Sequence, residues 1–456
     1  MRLIDEMVLG VEADLIGQPL PPKISSWIAT IDVELIKILN TLANEGFGAW
    51  LVGGCVREAW LHGAETSTDV DVATSCPPEL VLELFGDKAV ATGAEFGTVS
   101  IKGGKHVYEL TTLRTESLYR DGRHPDVVTW GESLSEDLSR RDFTFNSLAI
   151  DLARGLLYDP FCGIEDLEKG VVKAVGDANI RCDEDALRML RAYRFLSTKN
   201  GGLRKMDNQL KSAIRRHLHR LELVAIERKW MELQKILAGH HCGEIFGLMQ
   251  EDGVLPLIFA ESGVIATPLL HMLDDPRLTI LQPSQRLALL LLESSPKMLL
   301  AQLDALRCSK EWQRKTAFFH HFLAYLPSPN IAELRVFDQV LAGEAEAHLQ
   351  TQVVLSTLEI RRHNMPVSNF QDAADVYSAW QKMPIRRTPV SCLADGHWLM
   401  RKTGVEQGIR LGRLKEWLHR LQIEQDITEL EQLEMILSRL PFEHGSEEDW
   451  PRISFP

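Results

Sequence analysis

Hydrophobic positions change their period once along this chain. Near the start, Trp27, Ile28, Ile31, Leu35, Ile38 and Leu39 recur at helical spacing, which predicts one amphipathic helix within a lead-in over 1–45. From about 47 to 160, short β-rich runs alternate with short helical stretches. AWLVGG, DVDVAT, GTVSI, HVYELTTL, LAIDL and LLYDPF read as strands, and Pro78 to Phe85 reads as a helix. After about 163 the strand signals almost vanish. Helix then follows helix, with turns near Gly201–Gly202, Gly239, Pro268, Pro327–Pro329 and Pro384–Pro389. The pattern predicts an α+β chain, a mixed-sheet head followed by an all-α remainder. It contains no repeat of fixed period and no low-complexity stretch.

Composition narrows the class. At 456 residues, the chain is long enough for about three or four structural units at roughly 100–200 residues each. With 50 Lys plus Arg against 64 Asp plus Glu, the net charge of −14 excludes a protein that coats nucleic acid by charge alone, so any basic binding face must be local. The seven cysteines include no CxxC pair, which argues against a zinc knuckle or disulfide framework. His240, His241 and Cys242 stand together but lack a fourth ligand at finger-like spacing. The opening MRLIDEMVLGVEADLIG has none of the regions of a signal peptide, and the longest apolar run, Leu287 to Leu292, is far short of the ~20 residues that span a bilayer. The expectation is a reduced, soluble, cytoplasmic protein that does not engage a membrane.

Two local features carry chemistry. Gly53 and Gly54 close an apolar strand just before a helical run, a turn that brings backbone N–H groups to a phosphate, with Arg57 able to add a fork of donors. Strand-to-helix turns use glycine widely, so this turn alone also has a purely structural reading. Asp69 and Asp71 flank Val70 in a β-like run. Alternation puts both carboxylates on one face, where they repel unless a cation lies between them, and two hard Mg²⁺ ions bridged by such a pair are what in-line phosphoryl transfer uses, the expected two-metal site. Glu109 is the candidate third carboxylate; its rival reading is pairing with Arg114 or simple exposure to water.

Further along stand Arg140-Arg141-Asp142-Phe143-Thr144-Phe145-Asn146-Ser147-Leu148-Ala149, then Asp159-Pro160-Phe161-Cys162-Gly163, then the run from Glu184-Asp185 to Arg194-Phe195. Together with GGCVRE and DVD, the series resembles the class II tRNA nucleotidyltransferases, the CCA-adding enzymes of the polymerase-β superfamily, whose close relatives are bacterial poly(A) polymerases. The resemblance covers about 50 to 235 and, more loosely, the helical remainder. It implies a nucleotidyltransferase head at 46–162, a neck at 163–240, a helical body at 241–335 and a tRNA-binding tail at 336–456.

It also implies roles. Gly54 and Arg57 match the element at the nucleotide site, Asp69 and Asp71 the catalytic metal-binding pair, and Arg141 and Asp142 the motif that contacts triphosphate and ribose. Asp185, Arg188, Arg191 and Arg194 match the residues that bind the incoming base and phosphates. Departures are Cys55, Glu58 and Ser147, none of them a metal ligand. The implied activity is template-free addition of CCA to tRNA 3′ ends from CTP and ATP, with Mg²⁺. An A-adding-only enzyme or a poly(A) polymerase is the alternative, and an inactive RNA-binding scaffold a remote one. No His-Asp doublet occurs, so no phosphohydrolase activity is expected.

The residues themselves yield a base preference. Asp185 and Arg188, three apart on a helix, offer an acceptor beside a donor. Cytosine and adenine each present an exocyclic amine next to a bare ring nitrogen, which that pair accepts, whereas uracil and guanine present the reverse. The competing view is an amphipathic helix whose Leu187, Leu190 and Tyr193 pack inward and whose charges are only solvated. The segment Thr111 to Pro125 is polar and turn-rich and reads as a mobile loop near the site. Between Arg181 and Lys235, 14 basic residues face 7 acidic ones, and over 401–420 the count is 6 to 2. Two such zones suit a backbone-reading grip on folded RNA, although solvated helix faces give the same count.

Overall fold

The computed structural model describes residues 7–65, 69–94, 97–117, 127–198, 202–259, 265–358 and 370–454. Its first part runs β1 (Gln18–Pro19), α1 (Pro22–Ile28), α2 (Val33–Asn44), β2 (Ala49–Val52), α3 (Gly54–His62), β3 (Asp71–Thr74), α4 (Pro78–Phe85), β4 (Ala89–Gly93), β5 (Thr98–Gly103) and β6 (His106–Thr112). Then come β7 (Arg114–Ser117), β8 (Val127–Trp130), α5 (Leu134–Ser139), β9 (Ala149–Asp151) and β10 (Leu156–Tyr158). Among the described residues, eight of these strands make one mixed sheet in the order β1-β10-β9-β2-β3-β6-β5-β4. The fold is α+β.

Both faces of this sheet are covered, which is why its central strands read as apolar runs. Leu51, Val72, Tyr108, Leu110 and Ile150 pack on one face with Ile24, Trp27, Leu35 and Val56. Trp50, Val52, Ala73 and Ala149 point to the other, against Leu113, Leu134 and Leu138. The single helix expected in the lead-in is corrected to two. Asp32 sits in extended backbone between them, and its carboxylate accepts from Glu34 N at 2.8 Å, capping α2. Helical periodicity survives such a break, so the spacing alone does not show it. Nor is this segment merely a lead-in: Trp27 and Leu35 belong to the sheet's core, and β1 pairs with β10 at the sheet edge.

The loop expected at 111–125 is likewise corrected in part. Thr111 and Thr112 end β6, and β7 pairs antiparallel with β8 from Arg114↔Trp130 to Ser117↔Val127. Residues 118–126 lie outside the described residues.

Beyond residue 160 come α6 (Gly163–Glu168), β11 (Val171–Val172), α7 (Ala178–Glu184), α8 (Leu187–Leu196), β12 (Lys205–Met206), α9 (Asn208–His217) and α10 (Ile226–Ala238). Leu187, Leu190 and Tyr193 are buried on the inner face of α8, as the amphipathic reading expects, but the charges of the helix are not merely solvated: Arg188, Arg191 and Arg194 pair with Glu184, Asp142 and Glu232. The Tyr193 hydroxyl donates to Asp252 Oδ2 at 2.7 Å, and Arg215 Nη2 lies 2.6 Å from Asp252 Oδ1, which seats α8. The chain divides into two compact units, Met1–His241 with Leu248–Ile258, and Cys242–Gly247 with Phe259–Pro456. In the second, the helix Ile409–Gln425 buries Leu411, Leu414 and Leu418 against Leu399, Leu433 and Trp450. Among the described residues no helix is long and apolar enough to cross a membrane.

Asp252 is buried and ties Tyr193, Arg215 and Lys211 together. Asp252→Asn should cost about 1–2 kcal/mol by weakening the charge-assisted hydrogen bonds that the buried carboxylate accepts from Arg215 and Tyr193. Urea unfolding of the variant checks this; an unchanged midpoint would refute the role.

Candidate active site

The glycine turn is built as its sequence requires. β2 ends at Val52, and Gly53 then takes φ +74, where a Cβ would lie 2.8 Å from Arg141 Nη1. The dihedral pair, φ 74 with ψ −124, excludes a side chain there. Gly54 opens α3, so the unsatisfied N–H groups of a helix start face the same space. Arg57, one turn on, donates to Asn146 Oδ1 and, through Nη2 at 2.8 Å, to Glu58 Oε1.

The carboxylates gather at one strand end. Asp69 and Asp71 are exposed while Val70 and Val72 are buried, the alternation expected of that run, although the strand itself begins at Asp71. β3 and β6 pair in parallel with Asp71 directly opposite Glu109, so the two side chains share a sheet face. Burial of its carboxyl, then the charge of Glu109, and lastly that of Asp69 raise the Asp71 pKa, against the opposing pull of Arg141. Among the described residues, no three His, Cys, Asp or Glu side chains already converge as a metal cluster. Asp71 and Glu109 nonetheless share a sheet face at a strand end and, with Asp69, offer hard carboxylate oxygens whose charges raise the Asp71 pKa, a chemistry that fits Mg²⁺.

Opposite these acids lies a crowd of guanidinium groups. Asp137, buried, takes Arg140 on one oxygen and Arg141 on the other, with Arg141 Nη2 at 2.9 Å. Asp142 is fully committed. Its Oδ1 accepts from Phe143 N at 2.8 Å and Asn146 Nδ2 at 2.9 Å, and its Oδ2 lies 2.7 Å from Arg191 Nε and 2.6 Å from Arg191 Nη2. Burial alone would push this carboxyl up, but the Arg191 charge and the two side-chain hydrogen bonds outweigh it and hold the group below its ordinary value. Arg194 pairs with buried Glu232 at 3.0 Å; burial and the neighbouring Arg191 push its pKa down to about 10, which leaves it a cation. Arg57, Arg191 and Arg194 all lie over the Phe195 ring, at 5.0, 5.6 and 4.3 Å from its centroid.

One expectation needs correction here. Asp185 and Arg188 do not share a helix. α7 stops at Glu184 and Asp185 is extended, at φ −142 and ψ 103, accepting from Leu187 N at 3.0 Å at the start of α8. Asp185 pairs with Arg228 at 2.9 Å, while Arg188 donates to Glu184 at 2.6 Å and to the Arg140 carbonyl at 2.7 Å. An aspartate caps helices better than it continues them, so the acidic pair ends one helix and starts the next.

A cleft of about 480 Å³ joins these groups, lined by seven arginines and three aspartates among others. Of the residues singled out from sequence, Gly54, Arg57, Asp71, Arg141, Asp142, Asp185, Arg188, Arg191 and Arg194 line it, and Asp69 stands beside it. Arg140, Asn146, Phe195 and Arg228 also line the cleft and had been given no role. Arg140, Asn146 and Phe195 lay within the quoted motifs; Arg228 comes from α10, 43 residues after its partner, where no spacing rule reaches. Three residues of the second basic zone also have a structural duty. Arg410, Arg413 and Arg420 donate to the carbonyls of Phe442, Trp450 and Arg452, so these guanidinium groups fasten the C-terminal segment to its helix.

Because the Asp71 pKa is raised in the folded chain, the folded state binds the proton more tightly than the unfolded state. The contribution favours folding at low pH and is lost as pH rises above 3.8 through the folded value. Asp71→Asn should therefore stabilise the metal-free protein at pH 7, by less than about 1 kcal/mol given its exposure, while removing activity. A lowered melting temperature for the variant would contradict the repulsion.

A family model described as the poly A polymerase head domain matches residues 49–173, and one described as a probable RNA and SrmB-binding site of polymerase A matches 205–262. The CCA-adding enzyme of Limosilactobacillus reuteri (strain DSM 20016) is 33% identical over 389 residues, 84% of this chain and 90% of that relative. That of Lactobacillus helveticus (strain DPC 4571) is 44% identical over 214 residues, 47% of this chain and 52% of the relative. The crystal structure of Bacillus stearothermophilus CCA-adding enzyme in complex with CTP matches with a TM-score of 0.65 at 26% identity, covering 92% of this chain and 98% of that one. The Thermotoga maritima CCA-adding enzyme complexed with tRNA shares the fold, with a TM-score of 0.62 at 17% identity over 93% and 98%. With one relative at this identity matched over nearly its whole length, the chain belongs to the CCA-adding enzymes, the tRNA nucleotidyltransferases.

Proposed function

We propose that this chain adds C, C and A in turn to tRNA 3′ ends, using CTP and ATP without a nucleic-acid template, and that the cleft between the glycine turn and α8 is where it does so. The observation that carries the reading is the juxtaposition in one cleft of a carboxylate strand end with a surplus of arginines. A nucleoside triphosphate needs both.

The triphosphate is read by Arg57, Arg141, Arg191 and Arg194, together with the backbone N–H groups at Gly54. Asp69 and Asp71, with Glu109 alongside, would hold the divalent cation. When bound, it supplies positive charge that favours ionisation of the tRNA 3′-hydroxyl and steadies the leaving group. The hydroxyl oxygen bonds to the α-phosphorus as the bridge to the β-phosphate breaks, and pyrophosphate leaves. Arginines already in place stabilise the developing charge without reorganising.

The base is selected by Asp185 and Arg188. Asp185 keeps lone pairs beyond those taken by Leu187 N and Arg228, and accepts from the exocyclic amine of C or A. Arg188 retains its Nε–H for the bare ring nitrogen, its Nη groups being engaged by Glu184 and two carbonyls. Uracil and guanine would set donor against donor and acceptor against acceptor, and unpaired polar groups in such a site discriminate by roughly 10⁴. The basic residues between Arg181 and Lys235 contribute less surface than their number suggests. Arg215, Arg220 and Arg228 are each held by a carboxylate, so the tRNA grip rests on the remaining ones, such as exposed Lys205.

Transcripts ending before the tail, after C and after CC, each given single nucleotides, test the reading. Extension by C, C and A in turn is expected, and no extension of any transcript would refute it. Asp185→Asn should admit UTP, lowering the preference for CTP over UTP by at least about 100-fold; preserved preference would remove Asp185 from base selection.

A further inference from the structure

Behind the nucleotide cleft lies a second cavity, of about 840 Å³, within the same compact unit. Arg57, Arg194 and Phe195 line both, so these three side chains are the partition between them. Its floor is apolar, with Leu61, Leu167 and Leu203, and Lys169 and Lys235 stand at its rim.

Arg204 is the unusual member. Its residue is only 9% exposed, yet no carboxylate among the described residues pairs with it. Nη1 donates to the carbonyls of Phe195 at 2.8 Å and Ser197 at 3.3 Å, and the guanidinium lies 5.6 Å from the Phe145 ring centroid. Nε and Nη2 have no hydrogen-bond partner among the described residues. Burial and the like charge of Arg57 push this group below its ordinary pKa, with Glu58 opposing only weakly. Each of the seven arginines lining the nucleotide cleft, by contrast, pairs with a carboxylate. The second cavity is lined by five cationic side chains, Arg57, Lys169, Arg194, Arg204 and Lys235, against two acidic ones, Glu58 and Glu168, a surplus of three positive charges that an anion completes.

We propose that this second cavity is a polyphosphate site, in which Arg204 receives the inorganic pyrophosphate that leaves the nucleotide cleft past Arg57 and Arg194. The inference rests on the proposed nucleotidyl transfer, which supplies the anion at the shared wall. Holding the product on Arg204 separates it from the new phosphodiester and empties the arginines of the cleft for the next nucleotide.

The test is calorimetric titration of inorganic pyrophosphate into the full chain whose cleft is saturated with a non-hydrolysable CTP analogue. One pyrophosphate per chain should still bind. Arg204→Gln should weaken that binding at least tenfold while leaving affinity for the analogue within twofold. If Arg204→Gln does not fold, the exposed pair Lys169→Gln and Lys235→Gln carries the same test, with an expected loss of about threefold for this rim contact. Absence of binding to the saturated protein, or binding that neither variant alters, would overturn the site. Equal affinity of the cavity for ATP would overturn its assignment to the product rather than to any triphosphate. The titration involves no transfer, so failure of tRNA extension would refute the proposed function alone, and normal extension without a second pyrophosphate site would refute this inference alone.

Discussion

The buried ion pair between Asp142 and Arg191 is the constraint on which the cleft depends. Asp142 belongs to the turn that follows α5, and Arg191 to α8, 49 residues later. An ionised carboxylate in that position is tolerable only because every lone pair it presents is taken, by one backbone amide, one side-chain amide and one guanidinium. The pair therefore fixes the distance between the sheet and α8. Asn146, which donates to Asp142, also accepts from Arg57, so the glycine turn is tied into the same network. Asp142 thus positions Arg191.

The remainder of the site manages like charges. Guanidinium groups so close together would repel and collapse outward if unaided. Asp137 holds two of them, Glu184 and Glu232 one each, and Asp185 takes Arg228. Phe195 offers its ring to three more contacts, and edge-on packing against Phe143 and Phe145 keeps that ring still. At the far end Asp71 faces Glu109 across paired strands, and the like charges raise its pKa against the pull of Arg141, a local repulsion that costs stability in the empty enzyme and that a bound cation relieves.

Much of this was legible in the sequence, for physical reasons that differ by element. The strands around Leu51 and Val72 show because burial on both faces writes continuous apolar runs, and Asp69 with Asp71 show because alternation leaves them outside. The register of Glu109 against Asp71 depends on a parallel pairing that no local pattern encodes. The break at Asp185 was hidden because the apolar spacing of Leu187, Leu190 and Tyr193 continues a helical pattern while the capping residue ends it. Arg228 and Glu232 were hidden because long-range ion pairs have no spacing. The charge count also hid a structural duty: within the basic zone at 401–420, Arg413 is bound to Glu416 and to the Trp450 carbonyl.

A double-mutant cycle on Asp142 and Arg191 tests the central claim most directly, with kcat/KM for CTP addition to a tailless tRNA as the readout. If the ion pair sets the cleft, Asp142→Asn and Arg191→Gln each lose activity, and the double variant loses little beyond the worse single one. Losses that simply add would show that the two residues act independently, and the account would be wrong.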